Sequence, residues 1–214
     1  MTHHFDLRGL YAITDPGLAA GDLAGRVESA LLGGARAIQY RDKGDDGERR
    51  RHEARTLQAL CRRFRVPLIV NDDLELARLI GADGVHLGRD DPDPARARAL
   101  LGPDAVIGVS CYDRLELARA AAAAGADYVA FGRFFPSRSK PEAVPATADL
   151  LHRARDELSL PLVAIGGITP ENGGPLVAAG ASMLAVIHGV FGQPDVRAAC
   201  QRFQPLFAQR GQTT

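Results

Sequence analysis

The chain has 214 residues, 46% hydrophobic and 24% charged, an ordinary globular composition that excludes a mainly disordered polypeptide. Lys plus Arg and Asp plus Glu each number 26, so no net charge is available to hold nucleic acid or an anionic membrane. Cys61, Cys111 and Cys200 are too few and too scattered for a disulfide framework or a Cys-based zinc site, which makes the cytoplasm the expected location.

The first residues, Met-Thr-His-His-Phe-Asp-Leu-Arg, lack the basic start and apolar run of a signal peptide. Residues 10–14 form the first strand-like run. A Gly-Ala start followed by a short apolar run then recurs four times, at 34–38, 81–85, 125–129 and 180–184, with further apolar bursts at 67–71, 106–110 and 161–165. These eight runs are short, bounded by Gly or Pro, and lack clean alternation, as expected of parallel strands buried on both faces. Helices are expected between them. Leu57, Leu60, Cys61 and Phe64 share one helical stripe, and residues 94–101 and 113–124 are rich in Ala, Leu and Arg. Gly33, Gly81, Gly125 and Gly180 fall where helices should stop. Residues 172–194 carry no Asp, Glu, Lys or Arg, yet their glycines and Pro175 divide them into a helix, a turn and a buried strand. The order predicts an α/β fold, a single-domain TIM (β/α)8 barrel over residues 1–214. The alternative, a doubly wound open sheet, would be expected to carry a glycine-rich phosphate loop, and neither G-x-G-x-x-G nor G-x-x-x-x-G-K-[ST] occurs.

In such a barrel the chemistry gathers where strands end. Those ends read Gln39-Tyr40-Arg41-Asp42-Lys43, Asn71-Asp72-Asp73, His86 through Asp91, Ser110-Cys111, Gly132 through Lys140, Gly166-Gly167-Ile168-Thr169 and His188-Gly189. The opposite strand ends begin with Gly, Ala or Pro and hold far less chemistry. Arg41, Lys43 and Lys140 supply cations, while Asp72 and Asp91 supply carboxylates. Together they suit a diphosphate held by Mg²⁺, which takes one or two carboxylates plus phosphate oxygens while Arg and Lys neutralise the remaining charge. Gly166-Gly167 and the helix that follows offer backbone N–H groups to a second phosphate, so two phosphorylated substrates are expected.

These segments resemble the thiamine phosphate synthase family from Tyr11 to about Phe191. Gln39-Tyr40-Arg41-Asp42-Lys43 is similar to its Gln-x-Arg-x-Lys segment, which contacts a pyrimidine diphosphate. Asn71, Asp72 and Asp91 resemble its diphosphate and Mg²⁺ positions, and Ser110 its serine near the pyrimidine. Ser137-x-Ser139-Lys140 resembles a Thr-x-Thr-Lys segment, with hydroxyls toward a thiazole phosphate and the lysine toward the diphosphate. Gly167, Ile187 and His188 match the thiazole-phosphate site, although His188 stands where the family usually has a hydroxyl residue. The resemblance implies release of diphosphate from 4-amino-2-methyl-5-(diphosphooxymethyl)pyrimidine, a pyrimidinylmethyl cation, and attack by the thiazole nitrogen to give thiamine phosphate. Arg41, Lys43, Ser110 and Lys140 would be catalytic, and Mg²⁺ would sit on Asp72 and Asp91.

Plainer roles compete. Asp72 could cap a helix beginning near Asp73, Asp91 could be a turn residue before Pro92, Lys140 an ordinary loop lysine, and Gly166-Gly167 a tight turn. His86 reads as a packed, hydrogen-bonded residue, Cys111 as a packed thiol, and residues 49–55 as a solvated helix face laced with ion pairs. Rival functions are a thiazole tautomerase-like isomerase on the same scaffold and a non-catalytic phosphate-ligand binding protein. The isomerase would have no use for Asp72, Asp91, Lys43 and Lys140 together. Small-molecule substrates are the expected partners, without nucleic acid or membrane, and a homo-oligomer stays open. The Pro-rich loop 137–146 is expected to close over bound substrate.

Overall fold

The computed structural model describes residues 5–19, 21–136 and 146–208. Eight parallel strands pair in chain order and the last returns to the first, closing a barrel and excluding the open sheet. They are β1 (Gly9–Ile13), β2 (Ala37–Tyr40), β3 (Leu68–Asn71), β4 (Gly84–Leu87), β5 (Val106–Tyr112), β6 (Tyr128–Phe131), β7 (Leu162–Ile165) and β8 (Met183–Val186). Helices α1 (Leu23–Leu32), α2 (Gly47–Phe64), α3 (Leu74–Ile80), α4 (Pro94–Leu101), α5 (Leu115–Ala123), α6 (Ala148–Glu157) and α7 (Gly174–Ala179) each follow a strand. Three short helices, α8 (His188–Phe191), α9 (Val196–Gln201) and α10 (Pro205–Ala208), follow β8. Residues 172–194 resolve into α7, β8 and the additional α8, and no described helix is long and apolar enough to cross a membrane.

The recurring Gly-Ala segment has a physical task. Gly81 ends α3 in left-handed backbone, and two residues later Asp83 accepts the backbone N–H of Leu68 at 2.9 Å. Asp127, in the third repeat, accepts the N–H of Ile107 at 2.7 Å and pairs with Arg98 at 2.6 Å. Each aspartate satisfies an amide at the start of the preceding strand, where the sheet ladder has no partner to give.

Strand pleat then decides which residues reach the site. Leu10, Ala12, Ile38 and Tyr40 join the core between sheet and helices, whereas Tyr11, Ile13, Ala37, Ile69, Tyr128 and Met183 fill the barrel interior. Gly108 makes room for one of the two tyrosines among these. A Cβ at that position would lie 1.9 Å from the Tyr128 ring, which occupies the centre of the barrel.

Candidate active site

A pocket of about 330 Å³ opens at the C-terminal end of the strands. Gln39, Arg41, Asn71, His86 and Ser110 line one side, and Gly166, Gly167, Thr169, Ile187 and His188 the other. Thr14, fully buried at the end of β1, sets the exit of β2: its hydroxyl accepts the Arg41 N–H at 2.9 Å and donates to the Arg41 carbonyl at 3.3 Å.

Beside this pocket the acidic pair comes together. Lys43 Nζ lies 2.9 Å from Asp72 Oδ2, and Asp72 and Asp91 are within hydrogen-bonding reach of each other. Burial works to raise the Asp72 pKa, but the Lys43 ammonium and neighbouring donors outweigh it and hold the carboxyl low. For Asp91, burial and the adjacent Asp72 carboxylate win over the Gly88 N–H, and its pKa is raised. The helix-capping task falls to Asp73, which accepts the Leu76 N–H at 2.9 Å. Asp72 is left out of that cap and adopts left-handed backbone at φ 63°. Asp91 does hold a turn, accepting the Gly88 N–H at 2.6 Å, but it does so while facing Asp72. Among the described residues no cluster of three His, Cys, Asp or Glu side chains could hold a metal alone. Two neighbouring carboxylates suit an ion such as Mg²⁺, which would complete its shell with phosphate oxygens and water.

The floor is a chain of hydrogen bonds through five strands. Gln39 Nε2 donates to the Tyr11 hydroxyl at 2.8 Å, the Tyr11 and Tyr128 hydroxyls lie 2.9 Å apart, Tyr128 meets His86 Nδ1 at 3.0 Å, and His86 Nε2 meets Ser110 Oγ at 2.9 Å. The His86 ring also stacks on Tyr128, with centroids 5.6 Å apart.

Across the pocket, Gly167 has φ 63° and its Cα faces the Pro136 carbonyl so closely that a Cβ would lie 2.3 Å from that oxygen. Asn172 pins the turn, donating to the Gly167 carbonyl at 3.0 Å and accepting the Thr169 N–H at 2.8 Å. One expectation needs correction here. The helix after Gly166-Gly167 begins only at Gly174, so the helix start bordering this side of the pocket belongs to α8, at His188. Ser137, Ser139 and Lys140, with most of the loop 137–146, lie outside the described residues.

The family-model comparison matches thiamine monophosphate synthase over residues 10–190. The chain belongs to the thiamine monophosphate synthase family. It is 56% identical over 200 residues to a thiamine-phosphate synthase from Thiobacillus denitrificans, covering 94% of this chain and 95% of that one. A thiamine-phosphate synthase from Nitrosococcus oceani is 54% identical over 202 residues, with 94% and 93% covered. Among solved structures, a thiamine phosphate pyrophosphorylase from Pyrococcus furiosus superposes with a TM-score of 0.85 at 33% identity, covering 94% of this chain and 96% of that one.

Within this family member, two residues of the β2 segment stand away from the pocket, a second correction. The pleat that turns Gln39 inward turns Tyr40 out, where its hydroxyl donates to Glu53 of α2 at 2.8 Å. Asp42 likewise meets Arg49 at 2.6 Å and the Gly44 N–H at 2.7 Å, with its side chain 2% exposed. Burial alone would raise the Asp42 pKa, but Arg49 and the Gly44 N–H more than offset it and leave the carboxyl below its ordinary value. Asp42→Asn is therefore expected to cost about 1–3 kcal/mol of stability at neutral pH, with turnover retained. A carboxyl held low in the folded chain stabilises it above the ordinary carboxylate range and loses that contribution as pH falls through its folded pKa. Thermal melts of wild type and Asp42→Asn should accordingly converge on acidification, and a constant gap would contradict this assignment.

Arg49 also pairs with Glu53 and Arg51 with Glu48, as expected of a solvated, ion-paired helix face. The sequence reading missed Thr14, Tyr11, Tyr128 and Asn172 as parts of the site. A larger cavity of about 540 Å³ lies at the opposite end of the barrel, beneath Phe5, Arg8, Ala105 and Asp127. Its Asp127 is committed to Arg98 and the Ile107 amide, and the cluster of Lys43, Asp72 and Asp91 is at the other end.

Proposed function

We propose that the chain forms thiamine phosphate from 4-amino-2-methyl-5-(diphosphooxymethyl)pyrimidine and thiazole phosphate, releasing diphosphate. The observation that carries this reading is the meeting at one end of the barrel of an acidic pair with Lys43 beside it, a Gln39–Ser110 pocket floor, and a separate wall at Gly167 and His188. That arrangement offers three distinct places for two anions and one flat polar ring.

Gln39 and Ser110 bind the pyrimidine and hold its methylene carbon toward the Gly167 wall, where the thiazole phosphate is seated. Arg41 and Lys43 engage the diphosphate, joined by Lys140. The C–O bond breaks with its electron pair leaving on the diphosphate, and the ring amino group stabilises the resulting cation. The thiazole nitrogen lone pair then forms the C–N bond. Orientation matters more than proton transfer, because the cation must meet the thiazole before water. Asp72 and Asp91 would hold Mg²⁺, which would supply positive charge to stabilise the leaving diphosphate.

An isomerase would need the Gly167 phosphate site and a proton-transferring group such as His86 or His188, and it would leave the cluster of Asp72, Asp91 and Lys43 without a use. The test is direct. Purified protein with both substrates is expected to yield thiamine phosphate with Mg²⁺ and none with EDTA. A folded protein that makes none under either condition would sink the reading.

A further inference from the structure

The hydrogen-bond chain beneath the pocket has a direction. Tyr11 and Tyr128 are completely buried, and burial drives both phenols far above their ordinary pKa, so each keeps its one proton. Tyr11 receives the Gln39 N–H, so its own proton is left for Tyr128. Tyr128 has then accepted one bond and has a single proton for His86 Nδ1. A ring nitrogen that accepts at Nδ1 carries its proton on Nε2, which donates to Ser110 Oγ. Reversing the last links would have His86 Nδ1 donate to Tyr128 and Tyr128 to Tyr11, which would strand a buried Tyr11 proton with no acceptor.

We infer that Tyr11, Tyr128 and His86 are positioning residues that lock the Ser110 hydroxyl as a proton donor into the pocket. Gln39, at the head of the same chain, keeps its carbonyl oxygen as an acceptor there. An acceptor and a committed donor on one floor complement the edge of an aminopyrimidine, where an amino donor neighbours a ring-nitrogen acceptor. This inference deepens the proposed function and rests on it for its substrate. The direction of the relay stands instead on the hydrogen-bond partners, with the Gln39 amide nitrogen facing Tyr11. It also gives the fold a reason to place two phenols in a barrel centre that Leu or Phe would fill without polar atoms to satisfy.

The first test needs no substrate. Long-range ¹H–¹⁵N spectra of histidine-labelled protein should show His86 as a single tautomer protonated on Nε2, its signals assigned by their loss in His86→Gln. Protonation on Nδ1, or a mixture of tautomers, would overturn the relay. The second test is Tyr128→Phe, which keeps the ring and removes the proton donor. The KM for the pyrimidine diphosphate is expected to rise about tenfold, the effect of one well-placed neutral hydrogen bond, with kcat and the KM for thiazole phosphate unchanged. His86 should lose its single tautomer in the same variant. In a Ser110→Ala background the Tyr128 substitution should add nothing further, since it acts through that hydroxyl. A purely structural Tyr128 would lower the melting temperature without moving the tautomer or splitting the two KM values, and that result would also overturn the inference. If wild type makes no thiamine phosphate, the substrate reading fails while the tautomer measurement still decides the relay.

Discussion

Asp91→Asn is expected to lower turnover by about two to three orders of magnitude while leaving the fold no less stable. The two halves of that result have different causes. Asp91 accepts the Gly88 N–H at 2.6 Å, and an Asn carbonyl oxygen can accept the same bond, so the turn after β4 survives. What disappears is a negative charge already disfavoured by burial and by the Asp72 carboxylate against it, so its removal relieves repulsion in the unliganded protein. In the proposed reaction that charge would help hold the cation that neutralises the departing diphosphate. The Mg²⁺ concentration for half-maximal rate should rise along with the loss of turnover. Two residues away, Asp93 provides the contrast. It caps α4 by accepting the Arg96 N–H at 2.8 Å, so Asp93→Ala should cost about 1 kcal/mol of stability and leave the rate unchanged. Asp91→Asn should therefore lower the rate without lowering the melting temperature, and Asp93→Ala the melting temperature without the rate. A wild-type rate in Asp91→Asn would remove Asp91 from the mechanism.

The barrel was legible because its repeat is also its wiring. The Gly-Ala-Asp segments at 81–83 and 125–127 mark the stop of a helix and supply a carboxylate to the preceding strand, two constraints written within three residues. The acidic pair was legible because strand ends in a parallel barrel share one face, so Asp72 and Asp91 needed only to end adjacent strands. Side-chain facing within a strand end was harder. Tyr40 and Asp42 share a motif with Gln39 and Arg41, yet the two-residue pleat sends them toward α2, a distinction that motif spacing ignores and strand parity would have supplied. The relay was invisible for another reason. Tyr11 and Tyr128 lie in apolar runs that read as core, and their hydroxyls gain meaning only when five strands bring Gln39, His86 and Ser110 around them. The start of α8 was hidden because a four-residue helix leaves no periodic pattern to read.

The second large effect is expected at Gly167, where Gly167→Ala should destabilise the protein by about 2–5 kcal/mol and abolish most of its activity. Left-handed backbone at φ 63° costs an alanine about 1–2 kcal/mol, and forcing a methyl into a packed site adds about 1–3 kcal/mol. The steric part is severe because the obstacle is rigid. The new Cβ would meet the Pro136 carbonyl oxygen at 2.3 Å and Phe135 Cβ at 2.9 Å, so backbone, not a flexible side-chain tip, must give way. Phe135 is itself tied to β7's exit, its N–H donating to the Gly166 carbonyl at 3.0 Å, so the displaced strand of chain cannot swing freely. Pro136 leads directly into the segment carrying Ser137, Ser139 and Lys140, which couples the clash to the residues assigned to both phosphates. Gly125 separates the two contributions. It too has positive φ, at 88°, but nothing lies within 4 Å of the Cβ it would gain, so Gly125→Ala should cost only about 1 kcal/mol and keep full activity. For a chain of this size each kcal/mol moves the melting temperature by about 2–4 °C, enough to resolve the two variants in a single calorimetric comparison. Equal melting temperatures would mean that Pro136 yields without cost, and Gly167 would then be needed only for its backbone angle. A larger loss at Gly167, together with failed turnover, would instead mark the close approach of Gly167 to Phe135 and Pro136 as a contact on which the site depends.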